Sequence, residues 1–246
     1  MCQMIKPLVV ILVCISIIVN SAARADYALG CNDPEYHQYI KERSAHFETK
    51  NRRSLAYTLR DYERSLATNK HPFQVIGDLS RHLKYSAQFE PINEVNAKIN
   101  LIFEHANKLS IKQQIAGDVF DSFSSEKHSV GIARAWIAYR QGKQELAFEE
   151  LLKSIDISGS AVLSSFGPDL ALIRHIYRDG HLAPVVAYIN KTEEFWTGRR
   201  PDGLRYVWLE MIKAECKVQF DFVDTIKALE LGISVIDVNK DYGLSR

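Results

Sequence analysis

The chain has 246 residues, with 31 Lys and Arg against 30 Asp and Glu, giving a formal net charge of +1 at pH 7. Such a balance excludes the basic footprint that nucleic-acid binders and anionic-lipid binders carry, so neither partner is expected. The length suffices for one large core that buries about 70% of the unfolded surface, and no small disulfide framework is needed.

The first 25 residues read MCQMIKPLVVILVCISIIVNSAARA. Lys6 gives a positive flank, residues 7–19 an apolar core, and Ala23-Arg24-Ala25 a small-x-small cleavage site. That is the layout of a secretory signal peptide, and its core is short of the roughly 20 residues a membrane span takes. Cleavage after Ala25 and export, to a periplasm or to the outside, are expected, with no membrane span afterwards. A retained anchor is one alternative, and lipid attachment at Cys31 behind the segment ALGC is another. Loss of Lys6 and Arg24 with the leader leaves 29 bases against 30 acids.

After residue 34 apolar side chains recur at helical spacing. Leu55, Leu59, Tyr62 and Leu66 form one stripe; Ile111, Ile115 and Val119 form another. Further on come Leu182, Val185, Val186, Ile189 and Trp196, then Leu204, Val207, Trp208, Met211 and Ile212, then Phe222, Ile226, Leu229, Ile233 and Ile236. Each lays one apolar face along a helix, and no run alternates with the period of a strand. Pro34, Pro72, Pro91, Pro168, Pro184 and Pro201 all fall just before a run or in its first turn, where the missing N–H has no helical partner to lose. The spacing predicts eleven helices, over 35–48, 51–67, 73–87, 92–106, 110–122, 129–141, 144–156, 167–179, 182–196, 203–219 and 222–237. In SSFGPDLALIRHIYRDG, residues 164–180, Pro168 and Asp169 mark a helix start and Gly180 its end. Phe166, Leu170, Ile173, Ile176 and Tyr177 would form its buried stripe. Starts at 129, 167 and 203 recur at the period of a two-helix repeat. The fold expected is all-α, one domain over 26–246, a right-handed solenoid of about five antiparallel hairpins.

The stretch GIARAWIAYRQGKQELAFEELLKSI, from Gly131, resembles a tetratricopeptide unit. Ala135 and Ala147 stand at its small helix-crossing positions, Tyr139 at an aromatic one and Gly142 in its turn. Gly131 and Arg134 depart from the pattern, which places a bulky residue there. The following FGPDLALIRHIYRDGHLAPVVAYINKTEEFW is similar to a helix pair of uncharacterised bacterial exported proteins of tetratricopeptide-like kind. In these an FGP[ND] segment opens one helix and a Phe-Trp closes the next; Phe166, Gly167, Pro168, Asp169, Gly180, Val186, Tyr188, Phe195 and Trp196 carry the likeness. The resemblance implies helical hairpins that bind a protein or peptide, and no defined activity.

No catalytic, cofactor or metal site is expected. The eight histidines, His37, His46, His71, His82, His105, His128, His175 and His181, form no HExxH pair or Cys/His set and read as scattered surface residues. Neither a GxSxG elbow nor a phosphate-binding glycine loop is present. Arg174, His175, Arg178, Asp179 and His181 make the densest polar group, read as a solvated helix end. The two cysteines beyond the leader, Cys31 and Cys216, are expected unbridged: Cys216 continues an apolar stripe, and the two would lie near opposite ends of a solenoid. The function expected is an exported interaction module that holds a peptide or partner on a concave face. The alternatives are a helical enzyme with a site assembled from distant residues, and an envelope spacer.

Overall fold

The structure is a computed structural model that describes residues 30–109, 123–156 and 160–233. Every regular element among these residues is helical: α1 (Pro34–Ala67), α2 (Pro72–Phe89), α3 (Ile92–Asn107), α4 (Ser124–Arg140), α5 (Gln144–Lys153), α6 (Ala161–Phe166), α7 (Ala171–Arg178), α8 (Leu182–Lys191), α9 (Arg199–Lys213) and α10 (Val223–Glu230), with short 3-10 turns at Gly30–Asn32 and Thr192–Glu194. None is long and apolar enough to cross a membrane. The leader, the helix expected over 110–122 and the end of that expected over 222–237 lie outside the described residues.

Most boundaries follow the prolines, and the departures have local causes. The helices expected at 35–48 and 51–67 are one, because Thr49-Lys50 holds no breaker and Arg52 pairs with Glu48 at 2.8 Å across the junction. Residue 129 lies inside α4, which already starts at Ser124. α9 stops at Lys213, and two residues later Glu215 takes a left-handed φ of 60°. The largest departure concerns 167–179. A short helix not foreseen, α6, is capped by Ser160, whose hydroxyl accepts from the Leu163 N–H at 3.2 Å. α6 ends at Phe166, with Gly167 as its C-cap, and α7 begins only at Ala171. Pro168 and Asp169 therefore belong to the link between two helices.

Two compact units divide the chain, one from residues 42–205 and one from its first and last segments, up to 41 and from 206. In the first, α2 packs on α3 and α4, α4 on α5, and α8 on α5 and α7. α4 and α5 are antiparallel, since His128 near the start of α4 bonds the Ser154 carbonyl beyond the end of α5 at 2.9 Å. Ala135 and Ala147 are both fully buried at that crossing. Gly131 is there for the same reason: a Cβ on it would lie 2.6 Å from that of Ser154. α2 and α4 run parallel, with Gly77 facing Glu126 at one end and Arg140 donating to the Ala87 carbonyl at the other. α4 and α7 are parallel too, with His128 bonded to Asp169 at the start and Trp136 against His175, centroids 4.9 Å apart, further on.

The second unit overturns the cysteine expectation. Cys31 and Cys216 form a disulfide, with Cα atoms 4.9 Å apart and a sequence separation of 185. The start of α1 meets the segment after α9, and the Tyr36 hydroxyl donates to the Lys217 carbonyl beside the bridge. Placing the two cysteines at opposite ends of a solenoid was the error. The bridge also occupies the sulfur that lipid attachment at Cys31 would use, and bridges of this kind persist in oxidising compartments. On α10 the expected apolar stripe is turned outward: Phe222, Ile226 and Leu229 are exposed, whereas Asp224 and Ala228 are buried. Asp224 sets this register, because its carboxylate accepts from the Gln219 N–H at 3.2 Å and the Asp221 N–H at 3.0 Å.

Candidate functional site

Within the unit of residues 42–205, α2, α4, α6 and the link 167–170 enclose a cleft of about 340 Å³. One wall comes from Ser80, Arg81 and Lys84 on α2; Ser125, Glu126 and Ser129 of α4 face it, and Phe166 and Asp169 close the end. The α6–α7 link has the shape that makes this possible. Gly167 has φ 78° and ψ 173°, a region open essentially to glycine alone. A Cβ there would sit 2.7 Å from the Trp196 ring. Gly167 thus packs closely against the Trp196 ring, bringing the Phe-Gly-Pro segment to the tryptophan that closes the following pair.

Asp169 is the hub. Its Oδ1 accepts from the Ala171 N–H at 2.7 Å, holding the first turn of α7. Its Oδ2 meets the Lys84 ammonium at 2.9 Å. Its own N–H donates to His128 Nε2 at 3.1 Å, and the Tyr188 hydroxyl donates to its carbonyl at 3.3 Å. Burial alone would raise the Asp169 carboxyl; the Lys84 charge and the bond from Ala171 outweigh it and hold the group below the usual carboxylate value. Lys84 is raised by the same pairing. His128 Nδ1 donates to the Ser154 carbonyl and Nε2 accepts from Asp169, so the ring is the neutral Nδ1–H tautomer. Burial pushes it below the ordinary histidine value. Both nitrogens are taken by backbone, which leaves His128 no face for acid–base chemistry in the cleft.

The charges of the cleft are sorted by depth. Arg81 pairs with Asp78 at 2.6 Å, and the side chains are 58% and 9% exposed. Lys84 and Asp169 repeat this at 41% and 8%. In both pairs the cation faces solvent over a buried acid. The Ser80 hydroxyl is buried without a hydrogen-bond partner. Phe166, expected on a buried stripe, is 83% exposed, and Val162 one turn earlier is exposed as well. The helix break at Gly167 explains the error: Ile173 and Ile176 are fully buried on α7, but Phe166 ends a different helix.

The other singled-out residues lie elsewhere. Arg178 donates to His175 Nδ1 at 2.7 Å and the Tyr139 hydroxyl donates to Asp179, while the Arg174 guanidinium lies 4.0 Å from the centre of the Phe47 ring. Burial, then Arg178, lowers His175 to about 4. His181 packs on Phe148, with ring centroids 5.4 Å apart. Two histidines contradict the expectation of a surface set: His128 and His82 are buried, the latter with Nδ1 3.2 Å from the Thr58 hydroxyl and Nε2 3.8 Å from Glu90. No local pattern announces the meeting of Lys84, His128 and Asp169. The one available signal was an acid placed directly after Gly-Pro. No family model, no curated protein and no solved structure matches the chain, which is accordingly described by its own architecture, a disulfide-linked all-helical protein.

Proposed function

We propose that this is an exported, tetratricopeptide-like module of stacked helix hairpins that holds a segment of another protein in the cleft of α2, α4 and α6. The observation that carries the reading is Phe166, a large aromatic left 83% exposed at the lip of a polar cleft by a glycine-only backbone turn. Exposed aromatics beside satisfied polar groups are the usual anchors of peptide recognition. Export is supported by the leader pattern together with the disulfide. Stacking of hairpins is supported by the parallel run of α2, α4 and α7, each the first helix of an antiparallel or closely connected pair, and by Ala135 and Ala147 at the α4–α5 crossing. An enzymatic reading is less well supported, because the one buried imidazole of the cleft has both nitrogens bonded to backbone.

A photo-crosslinking residue at position 166, introduced into the protein in its producing cell, is expected to give discrete protein adducts. The same residue at exposed Tyr57 on α1 serves as the comparison. Equal labelling from both positions, or none from 166, would refute the assignment of the cleft.

A further inference from the structure

We infer that α1 is an acid-releasable helix: between residues 42 and 67 it is fastened to α2 and α3 over two histidines, His82 and His105, whose protonation loosens this part of it from the unit of residues 42–205. The inference does not depend on what the cleft holds. Over that stretch the only buried side chains of α1 are those of Thr58 and Ser65; Leu55, Leu59 and Tyr62 are half-buried, and Leu66 is exposed. By contrast α2 buries Val75, Ile76, Leu79 and Leu83, and α4 buries Ile132, Ala135 and Trp136. A helix that buries so little apolar surface is among the first elements of a fold to open.

The histidines meet α1 at hydroxyls one turn apart. The Thr58 hydroxyl donates to the Ser54 carbonyl at 2.7 Å, so at 3.2 Å it accepts from His82 Nδ1. In the neutral ring Nε2 is then bare, and that nitrogen is buried with no hydrogen-bond partner, 3.8 Å from Glu90 Oε1. The Tyr62 hydroxyl lies 3.4 Å from His105 Nε2. Burial holds both imidazoles below the ordinary histidine value. The charges around His82 do not reverse this. Glu90 and Glu63 of α1 favour its proton and Lys98 of α3 opposes it, while Glu90 Oε2 is taken by the Ser86 hydroxyl and by the Lys98 ammonium at 2.6 Å. Around His105, Lys108 opposes the proton and Glu104 favours it. From α4, Arg140 is spent on the Ala87 carbonyl and Arg134 lies over the Phe103 ring. Lifting α1 returns water to both rings, and with it their ordinary affinity for a proton. The fastening is therefore complete above about pH 6.5 and weakens as pH falls below it, because the open form binds protons that the closed form refuses.

The test is hydrogen exchange of the full, disulfide-bridged chain, read by mass spectrometry at about pH 7 and about pH 5.5 with each rate corrected for the intrinsic effect of pH. Amides of residues 54–66 are expected to exchange through an opening more frequent than that of α4 and α5 at both pH values. That opening is expected to grow, on going to the lower pH, by up to about tenfold for each histidine. H82Q and H105Q are each expected to remove one histidine's share of the growth. Should H82Q, changed at a buried position, show no protected amides at all, H105Q alone decides. Equal opening of α1 and of α4 and α5 at both pH values would overturn the inference, since α1 would then leave only with the whole fold. Growth left unchanged by H105Q would overturn it as well.

Discussion

Replacing Gly167 by alanine isolates the turn on which the cleft depends. Two costs apply. The backbone, at φ 78° and ψ 173°, lies where a residue with a Cβ is strained by about 1–3 kcal/mol. The new Cβ also lies 2.7 Å from the Trp196 ring, an overpacking worth about 1–3 kcal/mol more. The expected loss is about 2–6 kcal/mol, read by denaturant unfolding, and for a chain of this size a melting point lowered by about 5–20 °C. Gly180→Ala is the internal comparison: φ is +91° there, but nothing lies within 4 Å of the added Cβ, so it carries the backbone cost alone. Pairing Gly167→Ala with Trp196→Leu removes the wall the methyl group strikes. The double variant is expected to recover about 1 kcal/mol or more relative to additivity. If Gly167→Ala and Gly180→Ala cost the same within about 0.5 kcal/mol, the contact between the link and Trp196 is not what shapes the cleft.

Acid is expected to destabilise the fold through histidines that it holds neutral. His175 is held at about 4, so below the ordinary value near 6.5 the unfolded chain binds a proton that the folded chain refuses. Stability is intact above that value and falls as pH drops from about 6.5 to 4, by up to about 3 kcal/mol, and His175→Gln should flatten the slope measured by unfolding at successive pH values. His82 and His128 act in the same direction. Cys31→Ser, which opens a loop spanning 185 residues, should lower stability by about 3–5 kcal/mol, matched by reduction of the wild type in the same denaturant assay. Asp224→Ala strands the N–H groups of Gln219 and Asp221 and should cost about 2–4 kcal/mol by unfolding, with Asp224→Asn costing less because an acceptor remains.

The helices were legible because each buries one face at a 3.6-residue period, and the prolines put their ends within a few residues. The α4–α5 hairpin was legible for the same reason, down to the small residues Ala135 and Ala147 at its crossing. Gly131 looked like a departure from the repeat and proved to be a second close approach, against Ser154. The orientation of Phe166 was not legible, since periodicity alone cannot show that Gly167 breaks the helix carrying it. Nor could the hub be read: Lys84, His128 and Asp169 come from three separate helices or links, and nothing in the spacing of any one of them refers to the others. The bridge was missed by reasoning from helix order to distance. Asp224 was missed because a carboxylate buried to bind backbone N–H groups looks, in sequence, like one more surface acid.

The pairing of Cys31 with Cys216 sets an order on how the protein can be made. The residues from 42 to 205 are contiguous and can collapse as soon as they are made. The unit built from the two flanking segments has to wait, because its first cysteine emerges 185 residues before the second. Throughout that interval the thiol of Cys31 stays open to other oxidants and other chains. The Cys31–Cys216 bridge is therefore a late event in the making of the chain.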